Sequence, residues 1–235
     1  MKNLIIASTS TIHGSTYLEY LLEELAVFFK GVKSIVFIPY ARPSGISHNE
    51  YTEKAKEAFI KINKNLKGIH EFSNPIEAIN QAEAIFTGGG NTFLLLNQLY
   101  KNKLIEPLQK AVQTGTPYLG TSAGSNICGL TINTTNDMPI IYPPSFKALS
   151  LVPFNINPHY LDPIPDNKHM GETRETRIKE FHAFNTQPVI GLREGSWLEV
   201  KGSSIVLKGE LSARVFEYNK TPYEIERNTE LNTLK

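Results

Sequence analysis

Short apolar runs alternate with longer amphipathic stretches over the first 125 residues of the chain. A short apolar run bounded by turn residues predicts a buried strand, whereas apolar residues at three- and four-residue spacing predict a helix. Strands are predicted at residues 3–8, 34–39, 69–72, 84–87 and 117–120, and helices at residues 17–30, 49–66, 91–100 and 104–114, with a short helix opening at residues 74–75. This alternation predicts βαβ crossovers and a mostly parallel sheet with helices on both faces.

The pattern changes in the second half of the chain. Residues 131–170 are rich in Thr, Asn, Pro and Asp with little periodicity, which is typical of a functional loop region. A helix is predicted at residues 173–184, and short apolar runs follow at residues 189–192, 197–201, 204–208 and 213–218. We interpret these runs as antiparallel strands that complete the sheet at the C-terminal end. The predicted fold class is therefore α/β, with residues 1–235 forming a single domain.

One glycine-rich segment follows directly on the predicted strand at residues 117–120. Gly120-Thr121-Ser122-Ala123-Gly124 matches G-x-S-x-G, the strand-to-helix turn that holds a nucleophilic serine with its hydroxyl exposed. The flanking glycines matter because side chains at those positions would clash in so sharp a turn. The alternative interpretation is a glycine-rich turn in which Ser122 only packs.

A second glycine-rich segment, Gly88-Gly89-Gly90, also lies between a predicted strand and a predicted helix. Three glycines allow backbone N–H groups to face a cleft, where they bind a phosphate or a developing oxyanion. A phosphate-binding loop is disfavoured because no G-K-[ST] follows. The carboxyl ends of parallel strands share one edge of a sheet, so this segment and Ser122 are predicted to face the same crevice. A flexible turn is the alternative.

His159 is the histidine best placed to act as a base. It follows an apolar run and Asn157-Pro158 in the sequence FNINPHY, at the predicted end of a strand, where a base is held rigidly. The remaining histidines lie in predicted regular elements or in polar segments without a supporting pattern: His13, His48, His70, His169 and His182. The alternative for His159 is a partly buried structural residue.

Two acids compete to orient this histidine. Asp137 lies in the polar segment TTNDMP, and Glu194 follows the predicted strand at residues 189–192. A residue at a strand end is fixed better than one in a polar loop, which slightly favours Glu194, but the spacing leaves both open. Cys128 is expected to face the core, and no pattern of histidines and carboxylates indicates a metal site.

Composition narrows the classes of partner. The chain has 24 Lys and Arg against 23 Asp and Glu, which gives a formal net charge of +1. It therefore lacks the positive field that would attract a nucleic acid or an anionic membrane. Its single cysteine cannot form an internal disulfide. The apolar run near the first residue is too short for the hydrophobic region of a signal peptide, and no apolar run approaches the length of a membrane span. We expect a cytoplasmic protein without cofactor, nucleic acid or membrane partner.

Six separated blocks of sequence together carry a family resemblance. FTGGGNTF, GTSAGSN, TINTTNDMPI, FNINPHY, GETRETRI and VIGLREGSW occur in this order. Between about residues 3 and 218 the chain resembles the peptidase E, or α-aspartyl dipeptidase, family. The resemblance implies a serine peptidase on a sheet similar to that of class I glutamine amidotransferases. It also implies a substrate that is a dipeptide with an N-terminal aspartate.

The resemblance also assigns roles to residues. It implies Ser122 as nucleophile and His159 as base, with either Asp137 or Glu194 as the acid. Backbone N–H groups of Ala123 and of one residue in the segment Gly88–Gly90 are expected to form the oxyanion hole.

A substrate aspartate needs a cation, and a guanidinium can hold both of its carboxylate oxygens. Among Arg174, Arg177 and Arg193, we hypothesise that Arg174 of the GETR block binds the aspartate. The expected partner is a small dipeptide, and a homodimer is left open. The alternatives are a cyanophycinase-like β-aspartyl peptidase, against which the TTNDMP and GETR blocks argue, and a non-catalytic domain that binds small anions.

Overall fold

The computed structural model describes residues 1–163, 171–231 and 234, and contains a seven-stranded sheet. Its strands are β1 (Asn3–Ala7), β2 (Ser34–Ile38), β3 (Asn65–Gly68), β4 (Ile85–Thr87), β5 (Tyr118–Thr121), β8 (Ser196–Lys201) and β9 (Ser204–Gly209), in the order β3-β2-β4-β5-β1-β8-β9. The five strands from β3 to β1 in this order pair in parallel. β8 pairs antiparallel with both β1 and β9. The mostly parallel sheet predicted from the sequence is therefore present.

A second sheet of four strands carries the rest of the C-terminal part. Its strands are β6 (Asn155–Pro158), β7 (Val189–Leu192), β10 (Ala213–Phe216) and β11 (Tyr223–Ile225), in the order β11-β10-β7-β6. The prediction that all C-terminal runs complete the main sheet is correct for residues 197–201 and 204–208 and wrong for residues 189–192 and 213–218. Short apolar runs fit any half-buried sheet, so the pattern specifies strands without specifying their partners.

Helices lie against both sheets, and the last one, at residues 174–182, packs Ile178 against Val189 and Phe216 of the four-stranded sheet. They are α1 (Leu22–Phe28), α2 (His48–Ile60), α3 (Pro75–Asn80), α4 (Thr92–Lys101), α5 (Ile105–Thr114), α6 (Ala123–Asn126) and α7 (Arg174–His182). Several begin at residues whose side chains accept a hydrogen bond from the first turn, as N-cap residues do: Ser47, Asn74, Asn91 and Thr173.

Two neighbouring predictions are wrong, the end of the second helix and the position of the strand that follows it. The helix predicted at residues 49–66 ends at Ile60, and the strand predicted at residues 69–72 is replaced by β3, which pairs with β2 and is followed by a 3₁₀ turn at Ile69–Glu71. Asn63 has a φ of 56°, which a right-handed helix cannot accommodate. Pairing with β2 then decides where the strand lies.

Both faces of the main sheet are buried. In β1, Ile5 and Ala7 belong to one apolar cluster with residues of α1 and α2. Leu4 and Ile6 belong to a second cluster, which includes residues of α4 and α5 and also of the four-stranded sheet. A sheet buried on both faces explains why its strands read as continuous apolar runs instead of alternating ones. In the described part of the chain, no helix combines the length and the apolar character needed to cross a membrane.

Candidate active site

Ser122 lies in the turn between β5 and α6. Its backbone has φ 55° and ψ −113°, a conformation that is strained for any residue with a side chain. A Cβ on Gly120 would lie 2.5 Å from the carbonyl oxygen of Gly124, and one on Gly124 would overlap the carbonyl oxygen of Thr87. The close approaches explain why glycine stands at both positions. The local structure is the strand-to-helix turn that the sequence predicts.

Ser122 is the first member of a chain of three hydrogen-bonded side chains. Its Oγ lies 2.7 Å from Nε2 of His159, and Nδ1 of the same ring lies 2.6 Å from Oε1 of Glu194. If Nδ1 donates to the carboxylate, Nε2 is left with a lone pair that accepts the serine proton. The side chains of His159 and Glu194 are 35% and 46% exposed, so the arrangement opens to solvent on one side. The geometry has the form of a nucleophile, a base and an acid that orients the base.

His159 occupies the position directly after β6, as the sequence predicts. Its φ is 54°, its backbone N–H donates to Oγ of Ser8 at 2.9 Å, and the N–H of Tyr160 donates to the carbonyl of Leu192 at 3.1 Å. A histidine with positive φ is uncommon and has to be held by its surroundings. The turn fixes the direction in which the imidazole leaves the strand.

The other histidines that the structure describes have different surroundings. The rings of His48 and His70 lie 5.4 Å apart, and burial, together with the neighbouring ring, lowers the pKa of His48. Nε2 of His182 contacts the carbonyl of Gln187 at 3.0 Å. His169 lies outside the described residues. Of the described histidines whose hydrogen bonds are resolved, His159 is the one bonded to a serine hydroxyl.

Asp137, the other acid considered for the orienting role, is not brought to His159. Its Oδ2 accepts hydrogen bonds from the backbone N–H of Thr92 at 2.7 Å and from the hydroxyl of Thr135 at 3.1 Å. Thr92 is the first residue of α4, where the unpaired N–H groups and the helix dipole favour a carboxylate. The carboxylate therefore stabilises the helix that follows the segment Gly88–Gly90, and the geometry favours Glu194 as the acid.

Asn136, the neighbour of Asp137, is instead bonded to the strand that ends before His159. Nδ2 of Asn136 donates to the carbonyl of Pro158 at 2.7 Å, and its Oδ1 accepts from Nδ2 of Asn157 at 2.7 Å. These bonds join the 131–137 segment to the strand that ends at His159. Sequence reasoning missed Asn136 because a single asparagine in a polar loop carries no pattern of its own.

Of the residues predicted to form an oxyanion hole, Gly88 is not available. Its N–H donates to the carbonyl of Ile38 at 3.2 Å and so continues the pairing of β4 with β2. Gly89 lies closer to Ser122, since a Cβ on it would lie 2.8 Å from Cβ of Ser122. The N–H groups of Gly89, Gly90 and Ala123 donate to no acceptor within the described residues. These three remain candidates, because a backbone donor must be free to meet an oxyanion.

The three arginines considered at the sequence level differ sharply. Arg193 forms ion pairs with Asp162 at 2.6 Å and Glu224 at 2.9 Å, which raise its pKa, so its charge is already matched. Arg174, the first residue of α7, is half-buried and has no ion-pair partner among residues 1–163, 171–231 and 234. Burial and the nearby charge of Arg177 lower the pKa of Arg174, while the Asp137 carboxylate acts in the opposite direction. Arg177 is exposed and likewise forms no ion pair within the described residues, so Arg174 is the partly buried arginine of the three without an ion-pair partner there.

Cys128 does not enter the chemistry of this edge. The Cys128 side chain is fully buried, its Sγ lies 3.3 Å from the carbonyl of Gly124, and burial raises the pKa of the thiol. A thiol in these surroundings stays protonated and inert. Among the described residues, no group of three or more His, Cys, Asp or Glu side chains could hold a metal ion.

Comparisons with known proteins agree with one another. The sequence profile of peptidase family S51 matches residues 4–208. A protein of Streptomyces coelicolor named "Peptidase E" is 47% identical over 232 residues, which cover 99% of this chain and 94% of that protein. A Drosophila melanogaster protein named "Probable alpha-aspartyl dipeptidase" is 47% identical over 219 residues, covering 92% and 90%.

A solved structure has a similar fold. The crystal structure of a peptidase from an acI-B1 Actinobacterium superposes with a TM-score of 0.73 over 98% of this chain and 96% of that one. The two sequences are 16% identical, so this likeness concerns the fold alone.

Proposed function

This chain belongs to peptidase family S51 and is a serine-type dipeptidase, and we propose that it hydrolyses dipeptides whose N-terminal residue is aspartate, with Ser122 as the nucleophile. The observation that carries the proposal is the hydrogen-bonded chain from Oγ of Ser122 through His159 to Glu194. The relative named as an α-aspartyl dipeptidase supports the choice of substrate.

The positions of these atoms support the following sequence of steps. Nε2 of His159 takes the proton of Ser122 as Oγ attacks the scissile carbonyl carbon, and the carbonyl oxygen becomes an oxyanion. The imidazolium then gives this proton to the leaving amine, the C–N bond breaks, and the aspartyl group stays on Ser122 as an ester. Water, deprotonated by His159, attacks the ester carbon, and the imidazolium returns this proton to Oγ of Ser122 as the Oγ–C bond breaks and aspartate is released. Glu194 holds Nδ1–H throughout and stabilises the imidazolium.

The oxyanion is assigned to the backbone N–H groups of Ala123 and Gly89. Ala123 directly follows the nucleophile, at the start of α6, and Gly89 packs against Cβ of Ser122 from the side of β4. One preorganised donor of this kind contributes about 10²–10³-fold to turnover. Gly88 is left out because its N–H is used within the sheet.

The substrate aspartate is assigned to Arg174. A half-buried guanidinium without an ion-pair partner among the described residues binds a carboxylate at low cost, because no existing pair has to be broken. Asp137 lies near enough to influence Arg174 electrostatically, but its carboxylate accepts from the N–H of Thr92 and the hydroxyl of Thr135 and forms no ion pair with Arg174 within the described residues.

We also assign the fold to the class I glutamine amidotransferase-like group. The support is the position of the nucleophile, in a strained turn after the parallel strand β5 and before α6, with its base delivered from a later part of the chain. In this group a cysteine usually occupies the place of Ser122.

The test is hydrolysis of Asp-Leu by the purified protein, with Ser122→Ala and His159→Ala as variants. A positioned base contributes about 10²–10⁴-fold, and loss of the nucleophile removes covalent catalysis, so both variants should be nearly inactive and remain folded. Asn-Leu and β-Asp-Arg serve as comparison substrates. A Ser122→Ala enzyme with wild-type activity would refute the nucleophile, and preference for β-Asp-Arg would refute the α-aspartyl substrate.

A further inference from the structure

Ser8, directly after β1, joins two strand ends that carry candidate catalytic residues. The residue is fully buried, and its Oγ accepts a hydrogen bond from the N–H of His159 at 2.9 Å. The same hydroxyl donates to the carbonyl of Leu192 at 2.7 Å, two residues before Glu194. The Ser8 hydroxyl therefore donates to the last residue of β7 and accepts from the residue that follows β6.

This position matters because the reacting groups come from different sheets. Ser122 follows β5 of the seven-stranded sheet, whereas His159 and Glu194 follow β6 and β7 of the four-stranded sheet. β1 lies beside β5, and the N–H of Ser122 donates to the carbonyl of Ala7 at 3.2 Å. The dipeptide Ala7-Ser8 is thus bonded to Ser122, to His159 and to the strand that ends before Glu194.

The backbone of His159 needs such a contact. Its φ of 54° lies in the left-handed region, where a side-chain-bearing residue is strained and depends on its surroundings. Its N–H finds its partner in the Ser8 hydroxyl. Removing the hydroxyl leaves this N–H without its acceptor and gives the turn freedom to relax. The carbonyl of Leu192 keeps its bond from the N–H of Tyr160, so the loss falls mainly on His159.

We propose that Ser8 is a positioning residue, which sets the distance between Ser122 Oγ and His159 Nε2 by fixing the four-stranded sheet to the end of β1. The inference rests on the proposed function, because it concerns the geometry of that reaction. Ser8 acts through His159 and touches none of the reacting atoms. Misplacing a reacting group by about 1 Å can cost about 10²-fold in rate.

The test compares Ser8→Ala with Ser196→Ala. Ser196 is an equally buried serine, and its hydroxyl donates to the carbonyl of Leu211 at 3.1 Å without contacting Ser122, His159 or Glu194. Each variant loses one buried hydroxyl, so both should melt at a lower temperature than the wild type. For Asp-Leu we expect kcat to fall about 10- to 100-fold in Ser8→Ala with KM within about twofold, and to stay within about twofold in Ser196→Ala.

Two further measurements separate positioning from a general loss of structure and from a wrong substrate. In a Glu194→Gln background, Ser8→Ala should lower kcat by less than about threefold, because the base is already misaligned, whereas fully additive losses would overturn the proposal. The rate at which a fluorophosphonate modifies Ser122 needs no aspartyl substrate, and it should fall in Ser8→Ala but not in Ser196→Ala. Equal rates in Ser8→Ala and wild type would refute the inference, whether or not Asp-Leu is the substrate.

Discussion

Replacing Glu194 by Gln tests which acid orients the base. Oε1 of Glu194 lies 2.6 Å from Nδ1 of His159, a short bond of the kind that a charged acceptor forms. A glutamine is almost the same size but has an NH₂ group. When this group donates to Nδ1, the ring proton moves to Nε2, which can then no longer accept the proton of Ser122.

The size of the effect follows from the exposure of the pair. In the chymotrypsin template, where the acid is buried, the same kind of change lowers kcat by about 10⁴. Here the side chains of Glu194 and His159 are 46% and 35% exposed, so solvent screens the charge, and the glutamine can also turn its oxygen toward Nδ1. We therefore expect kcat to fall by about 10²–10³-fold, with little change in KM, since Glu194 acts through His159.

Asp137→Asn is the matched control, since it makes the same chemical change at the other acid. The amide oxygen can still accept from the N–H of Thr92, so the loss is mainly the charge at the start of α4, about 0.3–1 kcal/mol. For a chain of this size such a loss lowers the melting temperature by roughly 1–4 °C. We expect kcat for this variant within about fivefold of the wild type.

The assay measures leucine release from Asp-Leu at neutral pH over a range of substrate concentrations, with circular dichroism to confirm folding. The reasoning is refuted if Asp137→Asn shows the large loss in kcat while Glu194→Gln stays near wild type. Comparable minor losses in both variants would refute it as well, because His159 would then need neither carboxylate.

Three other predictions address specificity, reactivity and stability. Arg174→Met should lower kcat/KM for Asp-Leu by roughly 30- to 1000-fold, as expected for about 2–4 kcal/mol, and should weaken the preference over Asn-Leu; an unchanged preference would contradict the assignment. Iodoacetamide should not alkylate Cys128 in the folded protein and should not change its activity, since the thiol is buried and burial raises its pKa. Mass spectrometry that detects alkylated Cys128 after labelling would contradict this. The hydrogen bond from Arg193 holds the pKa of Asp162 below its usual value, so the pair stabilises the fold at neutral pH, and this contribution is lost as the pH falls below about 4. Melting curves between pH 6 and 3 should therefore show a smaller pH dependence for Arg193→Met than for the wild type, a small difference because Asp162 is more than half exposed.

Several features of this protein could be predicted from the sequence because they depend on short segments. The apolar runs predict the parallel strands of the main sheet, since a strand buried on both faces has no polar positions. The glycines beside Ser122 indicate the sharp turn, because only a residue without Cβ fits where the carbonyls of Gly124 and Thr87 approach so closely. His159 could be placed at a strand end because an apolar run and a proline precede it directly.

Other features depend on contacts between distant segments, and only the tertiary structure decided them. Spacing in the sequence left Asp137 and Glu194 as alternative partners of His159. The pairing of β6 with β7 in the four-stranded sheet places Glu194, and not Asp137, within hydrogen-bond distance of His159. The sequence does not distinguish Gly88 from the two glycines that follow it as a donor to an oxyanion. In the structure the N–H of Gly88 already donates to the carbonyl of Ile38. In the sequence Ser8 is an ordinary serine that follows a predicted strand. Its hydrogen bonds with His159 and Leu192, which lie 151 and 184 positions further along the chain, form only where the two sheets meet. Local sequence restricts the backbone of each segment, but the choice of hydrogen-bond partner depends on which segments pack together, and many partners satisfy the same local pattern.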